Sequence, residues 1–118
     1  MATLTRQTLL EAGITPTFVS CAGGGDQVDN RDGRTFLYVK NGSGGSITVT
    51  VSEQISGTTV EDQNLGTLTK ASVAKAIAAG AEAVLGPFKK AAFNDTNGRL
   101  QITYSGVTSL TISALAFP

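Results

Sequence analysis

Over residues 46–53 the chain alternates, with Ile47, Val49 and Val51 on one side and Thr48, Thr50 and Ser52 on the other. A period of two marks a strand with one face in a core and one in water. Residues 99–105 repeat it, setting Leu100, Ile102 and Tyr104 against Gln101 and Thr103. Residues 108–114 do so again, with Leu110 and Ile112 facing in beside Thr111 and Ser113. Residues 35–40 are apolar on both faces (Phe36, Leu37, Tyr38, Val39), as in a central strand. Glycine-rich turns punctuate these segments: residues 41–45 (NGSGG), residues 94–98 (NDTNG) and Ser105-Gly106. Short links of this kind predict antiparallel neighbours.

Two stretches admit more than one reading. Residues 3–12, closed by Gly13, place Leu4, Leu9 and Leu10 as a short helix would, and equally suit an extended arm. Residues 70–85 are rich in alanine, a helix former, but Gly80 interrupts them and Gly86-Pro87 ends them. Two short strands around an Ala-Gly turn fit a β-rich chain better. Residues 57–68 read as a loop or edge strand. Gly23-Gly24-Gly25 reads as a flexible linker, so residues 1–22 form an N-terminal arm and residues 23–118 a β domain. The fold expected is mainly β: an antiparallel two-sheet β-sandwich, Ig-like or jelly-roll-like, with an N-terminal arm or short helix.

A chain of 118 residues fits one domain with an ordinary hydrophobic core. Tryptophan is absent, so Phe36, Phe88, Phe93 and Phe117 are the large pieces expected in that core. Nine basic and nine acidic residues cancel, and charged residues make up 15% of the chain against the ~25% usual for soluble domains. Such a surface resists self-association weakly. It offers no basic stripe for nucleic acid, since Lys89-Lys90 is the one adjacent basic pair. No apolar run approaches the ~20 residues of a membrane span, and residues 1–6 lack the apolar stretch of a signal peptide. The sequence thus points to a protein made in the cytoplasm, with no membrane or nucleic-acid partner.

The chain has no histidine, which removes Ser-His-Asp and Cys-His systems and the usual zinc sites. Cys21, the single cysteine, has no activating base in view and reads as a small half-buried apolar residue. The run Gly23–Gly25 lacks the Lys and helix of a phosphate loop. Asp26, Asp29 and Asp32, with Asn30, are weak candidates for a calcium site, because Val28 breaks the alternation of oxygen donors such a loop needs. Turn formation is the favoured role for these residues and for Asp95 and Asn97. Glu53, Glu61, Asp62 and Glu82 are scattered and lack an aromatic platform for a sugar, against a glycosidase pair. The expectation is a non-enzyme without a cofactor.

Two ordered stretches carry a resemblance. Residues 24–26 (GGD), 30–42 (NRDGRTFLYVKNG) and 47–51 (ITVTV) form one; residues 85–88 (LGPF), 93–95 (FND) and 100–105 (LQITYS) form the other. In this combination the chain resembles small virion structural proteins of tailed phages, above all the capsid decoration (cement) class. The alanine-rich stretch at residues 70–84 departs from that pattern. The resemblance implies a β-rich subunit on the outer surface of an icosahedral head, clamping neighbouring copies of the major capsid protein and self-associating as a dimer or trimer. Leu4, Leu9, Leu10, Ile14 and Phe18 of the arm are then the candidate capsid contacts. Head-completion, neck or tail proteins are a second structural class of similar make-up. A glycan- or receptor-binding β module is a reading of another kind, which would call for exposed aromatic side chains.

Overall fold

Alternating strands need a second apolar surface to close against, and here they find it in one another. The computed structural model describes residues 2–54, 60–62, 66–68 and 72–118. Its elements are β1 (Ala2–Thr3), β2 (Arg6–Thr8), β3 (Val19–Ser20), β4 (Asp26–Asp29), β5 (Thr35–Asn41), β6 (Ile47–Val51), β7 (Val60–Asp62), β8 (Gly66–Leu68), β9 (Val73–Ile77), β10 (Glu82–Leu85), α1 (Lys90–Phe93), β11 (Arg99–Tyr104) and β12 (Leu110–Ala116). Sheet I runs β1-β4-β11-β6-β9, and sheet II runs β10-β5-β12-β2 with β3 also on β12. The two pack as a sandwich. β7 and β8 pair antiparallel as a separate ribbon.

The core takes Val28, Val49, Val51, Leu100 and Ile102 from sheet I and Leu37, Val39, Leu110 and Ile112 from sheet II, all buried. Each contributes roughly 1.5–3 kcal/mol on leaving water. Helix α1 is a single turn that carries Ala92 and Phe93 into the core, where Phe93 meets Phe88 edge-to-face at 5.3 Å. Of the four phenylalanines assigned to the core, Phe88 and Phe93 are there; Phe36 and Phe117 instead stack at 4.8 Å outside sheet II. Phe36 lies one residue from buried Leu37 on a strand, so alternation turns it to the opposite face.

The short loops do not make the antiparallel hairpins that their length suggests. Residues 42–46 carry the chain from sheet II to sheet I, and residues 105–109 carry it back from sheet I to sheet II. Residues 30–34 and 78–81 cross as well. The gap between stacked sheets is ~10 Å, within reach of four or five residues, so loop length does not separate a crossing from a hairpin. Side-chain bonds fix these corners. Buried Asn41 donates from Nδ2 to the carbonyls of Gly45 (2.8 Å) and Ile77 (2.9 Å). At the opposite end Asn30 donates to the Phe88 carbonyl (3.1 Å) and to Asn94 Oδ1 (2.7 Å), while its Oδ1 accepts the Thr35 N–H.

The sheets are mixed rather than purely antiparallel. β1 joins β4 in parallel and β2 joins β12 in parallel, because one continuous segment enters between the sheets and runs alongside both strands. Residues 3–12 are extended, not helical, apart from a turn at residues 11–12. The segment read as an arm, residues 1–22, thus contributes β1, β2 and β3 to the sandwich. The glycine run that follows, read as a linker, makes a turn between β3 and β4. Gly25 donates to the Ala22 carbonyl (3.0 Å), has φ +95°, and would put a Cβ 2.7 Å from the Ile102 carbonyl oxygen. Within residues 70–85, β9 and β10 flank a turn through Gly80, as the two-strand reading expects; Lys70 and Ala71 lie outside the described residues. Of residues 57–68, those at 57–59 and 63–65 also lie outside them, and the rest form β7 and β8.

Candidate interaction surface

The sequence candidates on residues 1–22 separate into two groups once placed. Leu4 sits between β1 and β2, its N–H bonded to the Gln27 carbonyl (2.8 Å) and its side chain in the core. It is already engaged. After β2 the Leu9 N–H bonds the Ala116 carbonyl (2.9 Å), and the chain turns back at Gly13, whose N–H reaches the Leu10 carbonyl (2.9 Å) at φ +87°. That turn leaves Leu10 63% exposed at its tip, with Leu9 and Ile14 half-buried beside it.

The returning limb is clamped at its base by a single side chain. Gln7 Oε1 accepts the Thr17 N–H (2.8 Å), and its Nε2 donates to the Thr17 carbonyl (3.0 Å) and to Ser113 Oγ (2.9 Å). An amide side chain here mimics a strand's main chain and holds two segments at ladder distance. Phe18 then packs edge-to-face on Tyr38 (5.1 Å), with Lys40 Nζ 4.2 Å above the Phe18 ring. Tyr38 in turn donates to Glu82 (2.5 Å). Residues 9–18 thus form a strap that leaves sheet II beside Ala116 and returns with Phe18 on its outer face.

Beyond Leu10, the large exposed apolar side chains among the described residues are Val19, Val84 and Phe117. Val19 lines a groove of about 440 Å³ at the open side of the sandwich, with Leu4, Thr5, Ile112 and Ala114 among its walls. Val84 and Phe117 lie on or beside sheet II. The sequence reading missed these three. Phe117 looked like a core residue, and Val84 sits in Glu82-Ala83-Val84-Leu85, where the apolar run hides which face is open.

The three metal candidates are not brought together. Asp26 is buried at the start of β4, and its Oδ2 accepts the Tyr104 hydroxyl (2.7 Å) and the Ala22 N–H (3.2 Å). Its Oδ1 has no hydrogen-bond partner among the described residues. Asp29 accepts the Arg31 N–H (3.0 Å), as a turn-forming aspartate does. Asp32 pairs with Arg6 at 2.6 Å, and that hydrogen bond holds its carboxyl below the usual range. Among the described residues no group of three or more His, Cys, Asp or Glu is placed to hold a metal ion. Asp95 closes the turn before β11 by accepting the Asn97 and Arg99 N–H groups.

Cys21 is buried rather than half-buried. Burial pushes its thiol up to about 11, against the opposing effect of a hydrogen bond with Tyr104, and the nearby Asp26 carboxylate adds to the rise. Such a thiol stays protonated and is a poor nucleophile. Tyr104 is also shifted upward, by burial first and by its bond to Asp26. No family model, curated protein or solved structure matches the chain.

Proposed function

We propose that this chain is a structural protein of a tailed-phage particle, a capsid decoration protein that binds the outer surface of the head and clamps neighbouring capsid subunits. The observation that carries the reading is Leu10, 63% exposed at the tip of a strap whose base is held by Gln7, which donates two hydrogen bonds and accepts a third. An apolar tip on a held loop binds without the cost of ordering the loop at the moment of contact. Its low charge density and zero net charge favour close packing in an assembly. The mechanism is thermodynamic: a ligand of the assembled shell alone stabilises it by mass action, and many weak sites add.

The test is the copy number of the chain in purified virions, measured against the major capsid protein by quantitative mass spectrometry. A ratio near one, or one fixed by the capsid's symmetry axes, supports decoration. A few copies per particle would move the protein to the neck or tail, and absence from the particle would overturn the virion reading. Leu10→Asp is expected to weaken binding to emptied heads at least roughly tenfold, the effect of burying a charge in place of an apolar anchor.

A further inference from the structure

We propose that the free edge of β10 is a self-pairing surface, joining two copies of this chain through an antiparallel β10–β10 ladder centred on Val84. The inference does not rest on the virion reading, because it concerns the isolated protein.

The four outer edges of the sandwich are unequal. β1, β2 and β3 are two or three residues long, too short to template another strand. β9 is longer, but Lys75 stands opposite core residue Val49 in the ladder and is nevertheless exposed. A charge at a core-side position of an edge strand is a device against pairing. β10 has no lysine, proline or bulge across Glu82–Leu85, and among the described residues β5 is its one paired neighbour.

The ladder also fixes which groups face outward. The Asn41 N–H bonds the Ala81 carbonyl, and residues 82–85 continue opposite residues 40–37. Main-chain groups turn to alternate sides along an antiparallel strand. Ala81, Ala83 and Leu85 therefore face β5, whereas Glu82 and Val84 present N–H and C=O to the open side. Val84 also carries its side chain on the outer face, opposite Tyr38, where it is 62% exposed.

A twofold axis normal to the sheet at Val84 satisfies these groups with a second copy. It sets Val84 against Val84 of the second copy, Ala83 against Leu85 and Glu82 against Gly86. Both valines leave water together. The two Glu82 carboxylates fall four residues apart along the strand, about 14 Å at the usual rise, beyond the ~8 Å screening length of physiological salt. Each is also held on its own copy by Tyr38. Pro87, with no N–H, ends the ladder after Gly86. The result is one continuous sheet II running through both copies.

Light scattering of the full chain, fractionated by size over a wide concentration range, tests this. The mass is expected to rise towards twice the 12.1 kDa of one chain. Val84→Lys, folded by circular dichroism, is expected to raise the dissociation constant at least roughly tenfold, since like charges then face each other. Leu10→Asp is expected to leave it unchanged. Hydrogen exchange on the unmutated chain supplies a second readout, in which the Glu82 and Val84 amides gain protection as concentration rises. A chain that stays monomeric throughout, a dimer indifferent to Val84→Lys, or amides at 82 and 84 that exchange alike at all concentrations would overturn the proposal.

Discussion

The outer faces of the two sheets solve the same problem in opposite ways. Sheet I turns Thr48, Thr50, Gln101, Thr103, Ala74 and Ala76 away from the core, where the first three are half-buried and the others exposed. Gln27 and Gln101 knit that face sideways, Gln27 donating to Thr3 Oγ1 (2.8 Å) and Gln101 to Gln27 Oε1 (3.1 Å). Sheet II turns Phe36, Tyr38 and Leu115 outward, and there Phe18 of the strap packs on Tyr38 while Phe117 stacks on Phe36. Leu115 is only 4% exposed although it points away from the sandwich core. A second apolar face needs a second cover, and Phe18 and Phe117 supply part of it.

The contrast is open to direct attack. The largest expected effect is at Leu115: Leu115→Ala should cost about 2–5 kcal/mol in urea unfolding, the range for a truncated core residue. Thr50→Ala, the matching truncation on sheet I, should stay within about 0.5 kcal/mol. Equal costs at the two sites would mean that the outer face of sheet II is packed no better than that of sheet I. Gln7→Ala is expected to cost about 1–2 kcal/mol and to speed hydrogen exchange across residues 9–18 while leaving sheet I unchanged. Uniform exchange across both sheets would remove the strap as a separate unit.

The smallest effect is on pH dependence. The folded-state pKa of Asp32 is depressed by Arg6, so this pair adds stability that is fully present above the unfolded value of ~3.9. That stability is lost as pH falls through the lowered folded value. Both side chains are partly exposed, so solvent and salt reduce the contribution. Asp32→Asn should therefore flatten the acid limb of the stability curve slightly. An unchanged limb would show that the pair does not hold β2 in place.

The strands themselves were legible because alternation encodes the half-buried face directly, as at residues 47–51 and 99–104. Which sheet each strand joins was not. Asn41 and Asn30 look like ordinary turn residues in sequence, and their role as buried corner posts depends on carbonyls dozens of residues away. The strap was half legible. Phe36 and Tyr38 announced that β5 is apolar on both faces, but nothing local to residue 18 or 117 says that Phe18 packs on Tyr38 and Phe117 on Phe36. Of the candidate contacts, Leu10 is free and Leu4 is spent in the core, a distinction that rests on the two-sheet entry of residues 2–8.

The crossing of nearly every loop from one sheet to the other bears on how the molecule can be made. β11 lies between β4 and β6 in sheet I, and β12 lies between β5 and β2 in sheet II. Two strands that follow all the other described ones in the chain are thus the keystones of both sheets, and a nascent chain stopped before residue 99 has neither sheet continuous. Apart from the β7–β8 ribbon, no pair of consecutive described strands offers a local hairpin to begin on. Productive folding waits on long-range encounters, which places this small domain among the slow, milliseconds-to-seconds folders. Until residue 116 has been translated, its strand edges are exposed to whatever else the cell is making.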